Sequence, residues 1–294
     1  MKFSILLKMF FGLLILGGSG VLVIAQSNLN TKISAKTNVT YLELIRKVFP
    51  NARKDEKLNY LAHAARKANS PDLLGSEDPV KKNAEKELII QIEESLETRY
   101  DNEKPLWLIL RAKSEKDERC GNCGELFLTA FRVRENEAEL IDTANLTSSM
   151  ASFGVDFLTV SNKTKLEIAP RREAVIINNH EQISMGTDSF MIVDIDKSRF
   201  RVVFKEFYLE HDDRCDSFYD DTARVILQKK SIAGYRNIEV IVTQEKGEGD
   251  ITYWRKRYRY VYAWNPRRQS YQLLIKPKKK RPSILLPGRG CGDG

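Results

Sequence analysis

Leu106-Trp107-Leu108-Ile109-Leu110 is a run of five apolar residues that opens directly after Pro105 and gives way to charge at Arg111. A run this short, bounded by a proline and a charge, has the length of a buried strand. Two later stretches repeat it, Ala174-Val175-Ile176-Ile177-Asn178 and Glu239-Val240-Ile241-Val242-Thr243, at offsets of 68 and 65 residues. Each is followed across a polar loop by a second strand-like run: Glu125 to Val133, Ser189 to Asp196, and Tyr258 to Asn265. A third follows a short turn: Glu139 to Asp142, Arg201 to Lys205, and Tyr271 to Ile275. Thr164 to Ile168 and Thr222 to Gln228 supply a fourth member to the later units. The pattern predicts a mainly β protein, a meander of about three blade-like antiparallel units in an open propeller-like or sandwich arrangement. Three units are fewer than the roughly four or more blades of a closed propeller.

Toward the N-terminus the texture is helical. Thr40 and Glu43 have the spacing of a capping box, Val39 can staple onto Leu44, and Leu42, Ile45, Val48 and Phe49 form an apolar stripe that Pro50 ends. A second helix is expected from Asp55 to about Asn69, closed by Pro71. A third is expected from Asp78-Pro79 to about Thr98, because Asp is a good N-cap, Pro suits the first turn, and Val80, Ala84, Leu88, Ile92 and Leu96 recur every fourth residue. Leu88-Ile89-Ile90-Gln91-Ile92 also fits an alternating strand. The chain thus divides into residues 1–25, a polar leader and helical segment over 26–104, a β-meander over 105–276, and a basic, Gly-rich tail over 277–294.

The first residues set the compartment. Lys2 and Lys8 precede an uncharged run from Met9 to Ala25 that closes with Val23-Ile24-Ala25, the n-region, h-region and cleavage site of a secretory signal peptide. The alternative is an uncleaved N-terminal membrane anchor. Gly12, Gly17, Gly18 and Gly20 weaken such a helix by about 1 kcal/mol each relative to Ala. The expectation is a secreted or periplasmic protein with no transmembrane domain once the signal is removed. In an oxidising compartment Cys120, Cys123, Cys215 and Cys291 are disulfide candidates, with three pairings open. Cys120-Gly121-Asn122-Cys123 lies between two strand-like runs, whereas a redox Cys-x-x-Cys opens a helix. A zinc site from Cys120, Cys123, His211 and Cys215 has suitable ligand types at a separation that sequence does not bridge.

The chain carries a net charge of +8, and 42% of its residues are hydrophobic, enough for a real core. That surplus suits acidic partners such as a polyanionic polymer, an anionic membrane surface or an acidic protein, and no specific nucleic-acid motif is present. Two basic segments stand out. In Tyr253-Trp254-Arg255-Lys256-Arg257-Tyr258-Arg259-Tyr260-Val261-Tyr262-Ala263-Trp264, strand periodicity puts Arg255, Arg257 and Arg259 on one face and Trp254, Tyr258, Tyr260, Tyr262 and Trp264 on the other. The arginines are either a cationic strip for phosphate, sulfate or carboxylate groups, or the solvated side of an outer strand. Lys278, Lys279, Lys280 and Arg281 form a basic tail, read either as a mobile contact to anionic polymers or lipids or as a solvated end. Asp212, Asp213, Asp216 and Asp220 cluster around Cys215 and are calcium candidates, although their order lacks the regular spacing and turn glycine of a dedicated loop.

Glu173 to Ile177, Ser189 to Asp196, and Gly234 to Val242 leading into Tyr260 to Asn265 resemble exported bacterial proteins with FG-GAP or VCBS-type propeller repeats, over about Leu106 to Ile275. The resemblance implies a propeller-like β fold. The Asp-x-Asp-x-Asp-Gly calcium loop of those repeats is absent, and Asp194-Ile195-Asp196-Lys197 is only a fragment of it. The functional expectation is a non-catalytic binding or structural module with a basic surface for acidic partners. The alternative is a cell-envelope hydrolase acting on polysaccharide or peptide through carboxylates such as Asp212, Asp213 or Asp220, two of which would have to lie about 5–10 Å apart in a pocket.

Intact mass of the exported protein, with and without reduction and alkylation, checks the compartment and the cysteines together. The expected mass begins at Gln26, with all four cysteines blocked until reduction. A retained N-terminus or freely alkylated thiols would contradict it.

Overall fold

The computed structural model describes residues 33–34, 36–54, 60–62, 87–114, 125–146, 156–159, 165–181, 185–196, 198–212, 217–248, 251–279 and 281. In chain order the elements are α1 (Tyr41–Val48), β1 (Arg53–Lys54), β2 (Tyr60–Ala62), β3 (Leu88–Glu97), β4 (Leu106–Ser114), β5 (Glu125–Val133), β6 (Ala138–Asn145), β7 (Asp156–Thr159) and β8 (Lys165–Ala169). They continue with β9 (Arg172–Glu181), β10 (Met185–Asp196), β11 (Arg199–Asp212), β12 (Ser217–Ile232), β13 (Tyr235–Glu248), β14 (Ile251–Asn265) and β15 (Ser270–Ile275).

Two antiparallel sheets result, so the mainly β reading holds. The first runs β1-β2-β3-β4-β5-β6, and the second β15-β14-β13-β12-β11-β10-β9-β7 with β8 also pairing β9. Each of the three repeat units is a meander of consecutive strands, β4-β5-β6, β9-β10-β11 and β13-β14-β15. They do not make three separate sheets: the first unit joins β1–β3, and the other two share one sheet through β12.

The composition of each strand follows from how many of its faces are covered. Leu106, Leu108 and Leu110 of β4 pack with α1 residues Leu44, Ile45 and Val48, while Trp107 and Ile109 point the other way against Val175, Met191, Val193 and Phe200. Both faces of β4 are buried, which is why its sequence is continuously apolar. β9 is placed likewise, with Val175 and Ile177 toward the first sheet and Ala174 and Ile176 toward β13–β15. β13 covers the core on one side only: Ile238, Val240 and Val242 are buried in it and alternate with Glu239, Ile241 and Thr243. The stacking order is therefore α1, the first sheet, β9–β11, and β12–β15.

The second sheet doubles back on itself. Among the described residues β11 and β12 share only the register pairs His211↔Asp220 and Asp212↔Tyr219. Beyond that corner the layers separate, so that β15 approaches β11 while β12 and β13 approach β8. Phe204 and Phe207 of β11 meet Tyr262 and Tyr260 of β14 edge-on, with ring centroids 4.7 and 5.3 Å apart.

One buried polar group ties the layers together. Asp194 on β10 has no exposed side-chain surface, and its Oδ2 lies 2.7 Å from Arg172 Nη2 and 3.0 Å from Arg201 Nη2. Arg172 also bonds the Ile195 carbonyl and stacks 4.9 Å from the Tyr100 ring, in the turn between β3 and β4. Arg201 lies 5.4 Å from the Trp264 ring and donates to Gln269. Asp142 of β6, also fully buried, accepts the Phe200 N–H at 2.7 Å and so fastens the first sheet to β11.

Near the N-terminus the expectations meet one agreement and two corrections. α1 forms as read: Glu43 N–H donates to Thr40 Oγ1, Thr40 N–H donates to Glu43 Oε2, and Phe49 ends the helix with its N–H on the Ile45 carbonyl. The second predicted helix is contradicted over Tyr60–Ala62, which is a strand paired with Leu88 to Ile90, and the rest of its range from Asp55 to Asn69 lies outside the described residues. The third is contradicted over Leu88–Glu97, which is β3 and pairs with β4, while its start at Asp78-Pro79 lies outside the described residues. Positions four apart are also an even number apart, so Leu88 and Ile92 share a strand face as readily as a helix face, with Ile90 between them completing the alternation. A register shift between Ile92 and Glu94 then turns Leu96 to the opposite core.

Replacing Asp194 by Ala leaves two guanidinium groups short of a buried counter-charge, and the expected loss in urea denaturation is about 3–5 kcal/mol. Arg134→Ala, which breaks the exposed Arg134–Glu137 pair, serves as the contrast and is expected to cost under about 1 kcal/mol.

Candidate functional site

The β12–β13–β14 layer presents a basic row because its aromatic residues are committed to the core. Tyr258 and Trp264 are buried and Tyr260 and Tyr262 half-buried on the inner face of β14, where Trp264 also stacks 3.9 Å from Tyr235. Burial pushes the Tyr262 phenol up to about 12, so it stays neutral at physiological pH. With those rings inside, strand alternation puts Arg255, Arg257 and Arg259 outside, and all three are exposed. Register adds a fourth cation, since Ile241 of β13 pairs with Arg259 on one side and with Arg224 of β12 on the other. Arg224 escapes a reading of local sequence because only strand pairing brings it to this row.

Two carboxylates lie within the row. Glu245 meets Arg255 Nε at 2.7 Å, and Glu239 meets Arg259 Nε and also accepts from Gln228 at 2.8 Å. The hydrogen bonds from Arg259 and Gln228 hold the Glu239 carboxyl below its ordinary range. Arg257 pairs in register with Thr243 and meets no carboxylate among the described residues. The arginine side chains of both ion pairs remain more than half exposed, where such pairs add little net stability and their cations stay accessible.

The basic tail divides into two parts. Lys276, Lys278 and Lys279 are exposed, whereas Arg281 turns back between the layers. Arg281 Nη1 lies 3.0 Å from Asp221 Oδ2, Nη2 donates to the Tyr208 carbonyl at 2.8 Å, and the guanidinium stands 5.6 Å from the Phe207 ring. Asp221 Oδ2 also accepts the Glu210 N–H at 3.2 Å. These bonds occupy backbone groups of β11 just where its ladder with β12 stops. The expectation for Arg281 is therefore corrected: it is an anchor, not part of a mobile or solvated end. Because Ile275 faces Val261 and Arg281 acts electrostatically on Tyr258 and Tyr260, Lys276, Lys278 and Lys279 are confined near the strand that carries the arginine row. Lys280 lies outside the described residues.

The remaining sequence candidates are placed as follows. Among the described residues no group of three or more His, Cys, Asp or Glu is arranged to hold a metal ion. Asp212 ends β11 and Asp220 lies in β12, while Asp213 and Asp216 fall outside the described residues, as do Cys120, Cys123, Cys215 and Cys291. Asp194 and Asp196, the fragment of a calcium loop, are both occupied by Arg172 and Arg201. A cleft of about 270 Å³ lies between Tyr100, Glu103, Arg132, Ile141 and Ser198, and a shallow one of about 550 Å³ lies on the β14–β15 hairpin beside Trp264 and Leu274. Asp220 does not line either, and Glu103 in the smaller cleft is held by both Nε and Nη2 of Arg132 at 2.9 Å. The described residues contain no helix long and apolar enough to cross a membrane.

Asp220 is a titratable group with a clear direction. Burial pushes its carboxyl up; nearby His211 pulls it down, and Asp188 and Glu245 add to the rise. With the folded value above an unfolded value of about 3.9, the contribution of Asp220 to stability is full below that pH and is lost as pH rises through the folded value. Asp220→Asn is therefore expected to be more stable than the parent at pH 7, with the gain vanishing toward about pH 4 in urea titrations. A gain that persists at low pH would contradict it.

Comparison with known protein families, curated proteins and solved structures finds no match to this chain.

Proposed function

We propose that the protein is an extracytoplasmic, non-catalytic binding or interaction module that engages acidic partners through the outer face of β12–β14. The observation that carries this reading is the exposed row of Arg255, Arg257 and Arg259, fixed in direction by the aromatic residues that alternate with it in the core. Arginine forks bind carboxylate, sulfate and phosphate oxygens in pairs, and a rigid sheet fixes their spacing, so that only the side chains remain to be ordered on binding. Arg224, Lys278 and Lys279, all exposed, extend the positive field on either side. The export signal read from Met1 to Ala25 places such a surface among envelope or extracellular polymers, anionic lipids and acidic proteins.

Retention on immobilised heparin tests the proposal. Changing Arg255, Arg257 and Arg259 together to Ser should lower the eluting salt concentration and reduce the slope of log affinity against log salt by about 2. A control that removes three exposed cations of the N-terminal half, Lys36, Arg53 and Arg134, changes net charge equally and should elute near the parent. Equal loss in both variants would reject a localised face in favour of net charge alone.

A further inference from the structure

The arginine row also borders a stretch of β14 that, among the described residues, has a strand on one side only. β14 is 15 residues long and its outer neighbour β15 only 6, and their register pairs run from Val261 to Asn265. From Thr252 to Tyr260, β14 pairs with β13 on one side and, among the described residues, with no strand on the other. The described residues that follow β15 do not continue the ladder. Pro277 has no N–H to give, and Arg281 is drawn inward to Asp221 and Tyr208. The backbone donors and acceptors along this edge are a template for one more strand.

The side chains select which strand. A second copy of the same edge would set arginine against arginine on one face, which is destabilising between directly opposed residues. An acidic strand meets the opposite situation. Residues on one face of a strand repeat every ~6.8 Å, so an extended peptide with carboxylates at alternate positions matches Arg255, Arg257 and Arg259 one for one. Glu245 and Glu239 engage their arginines through Nε, which leaves the Nη donors of both forks for an incoming carboxylate. On the other face of the edge, Trp254 is half-buried with the Lys256 ammonium 5.1 Å from its ring, a surface suited to Thr or Val between the acids.

We infer that the Thr252–Arg259 edge of β14 is a docking site for an extended acidic segment of a partner protein, which adds as a further strand with its carboxylates opposite the three arginines. This rests on the acidic-partner reading above and narrows it from any polyanion to an acidic peptide bound by backbone as well as charge.

The test uses the full exported chain and a capped peptide of alternating Glu and Thr, with two derivatives N-methylated at alternate backbone amides, one at the Glu positions and one at the Thr positions. All three carry the same charge, but in a strand one set of amides faces the protein and the other faces away. Titration by NMR should show binding of the parent peptide, slowed amide exchange over Thr252–Arg259, and loss of at least about tenfold in affinity for only one of the two derivatives. Equal binding of all three peptides would overturn the docking edge while leaving the acidic-partner reading intact. Failure of the parent peptide to bind, with heparin retention still dependent on the arginines, would do the same. Loss of both peptide binding and arginine-dependent retention would remove both.

Discussion

Asp194 is buried without residue of exposure at the centre of the second sheet and faces two guanidinium groups, one from β9 and one from β11. Each of those arginines reaches on to another layer, Arg172 to Tyr100 beside the first sheet and Arg201 to Trp264 and Gln269 at the end of the β14–β15 hairpin. A single carboxylate thereby orients contacts in three layers. An unpaired charge at this depth would cost several kcal/mol, so the alignment of the layers and the satisfaction of the charge depend on each other. Asp196 shares the same two arginines at 3.3 Å, which completes a compact alternating network of charge.

That network sits where the apolar layering needs it. β4 and β9 are covered by apolar layers on both faces, and contact between apolar side chains has no directional preference of its own. Directional groups set the register instead. Asp142 on the Phe200 N–H and the Asp194 network do so between the first sheet and the second, and Arg281 with Asp221 does so at the corner where β11 and β12 part. The corner is a weak point of the sheet because only two register pairs cross it. A residue sixty positions later in the chain, Arg281, makes good the hydrogen bonding lost there.

The basic face is a by-product of this packing and gains its rigidity from it. Tyr260, Tyr262 and Trp264 are locked against Phe207, Phe204 and Tyr235, so β14 cannot roll and its arginines cannot turn inward. The same anchoring of Arg281 keeps the exposed lysines of the tail close to the row. Binding to an acidic partner would then begin from side chains already set at strand spacing, with little ordering left to do on association.

Alternation and run length were sufficient to read the strands from β4 onward other than β7, the capped helix at Thr40, and the opposition of arginine and aromatic faces in β14, because each depends on neighbours one to four residues apart. Local pattern failed at Leu88 to Glu97, where a four-residue spacing satisfies both periods and the ladder with β4 decides between them. It had no access to the joining of two repeat units in one sheet, to Arg224 beside Ile241, or to the Asp194 and Asp221 ion pairs, whose partners lie between 7 and 60 residues away. Sequence by itself determined which side chains each strand turns inward, since the pleat enforces that within a few residues. Only the tertiary structure decided which layers meet, which charges are buried and neutralised, and which remain exposed on the outer face, since these depend on the distances between strands and not on their order.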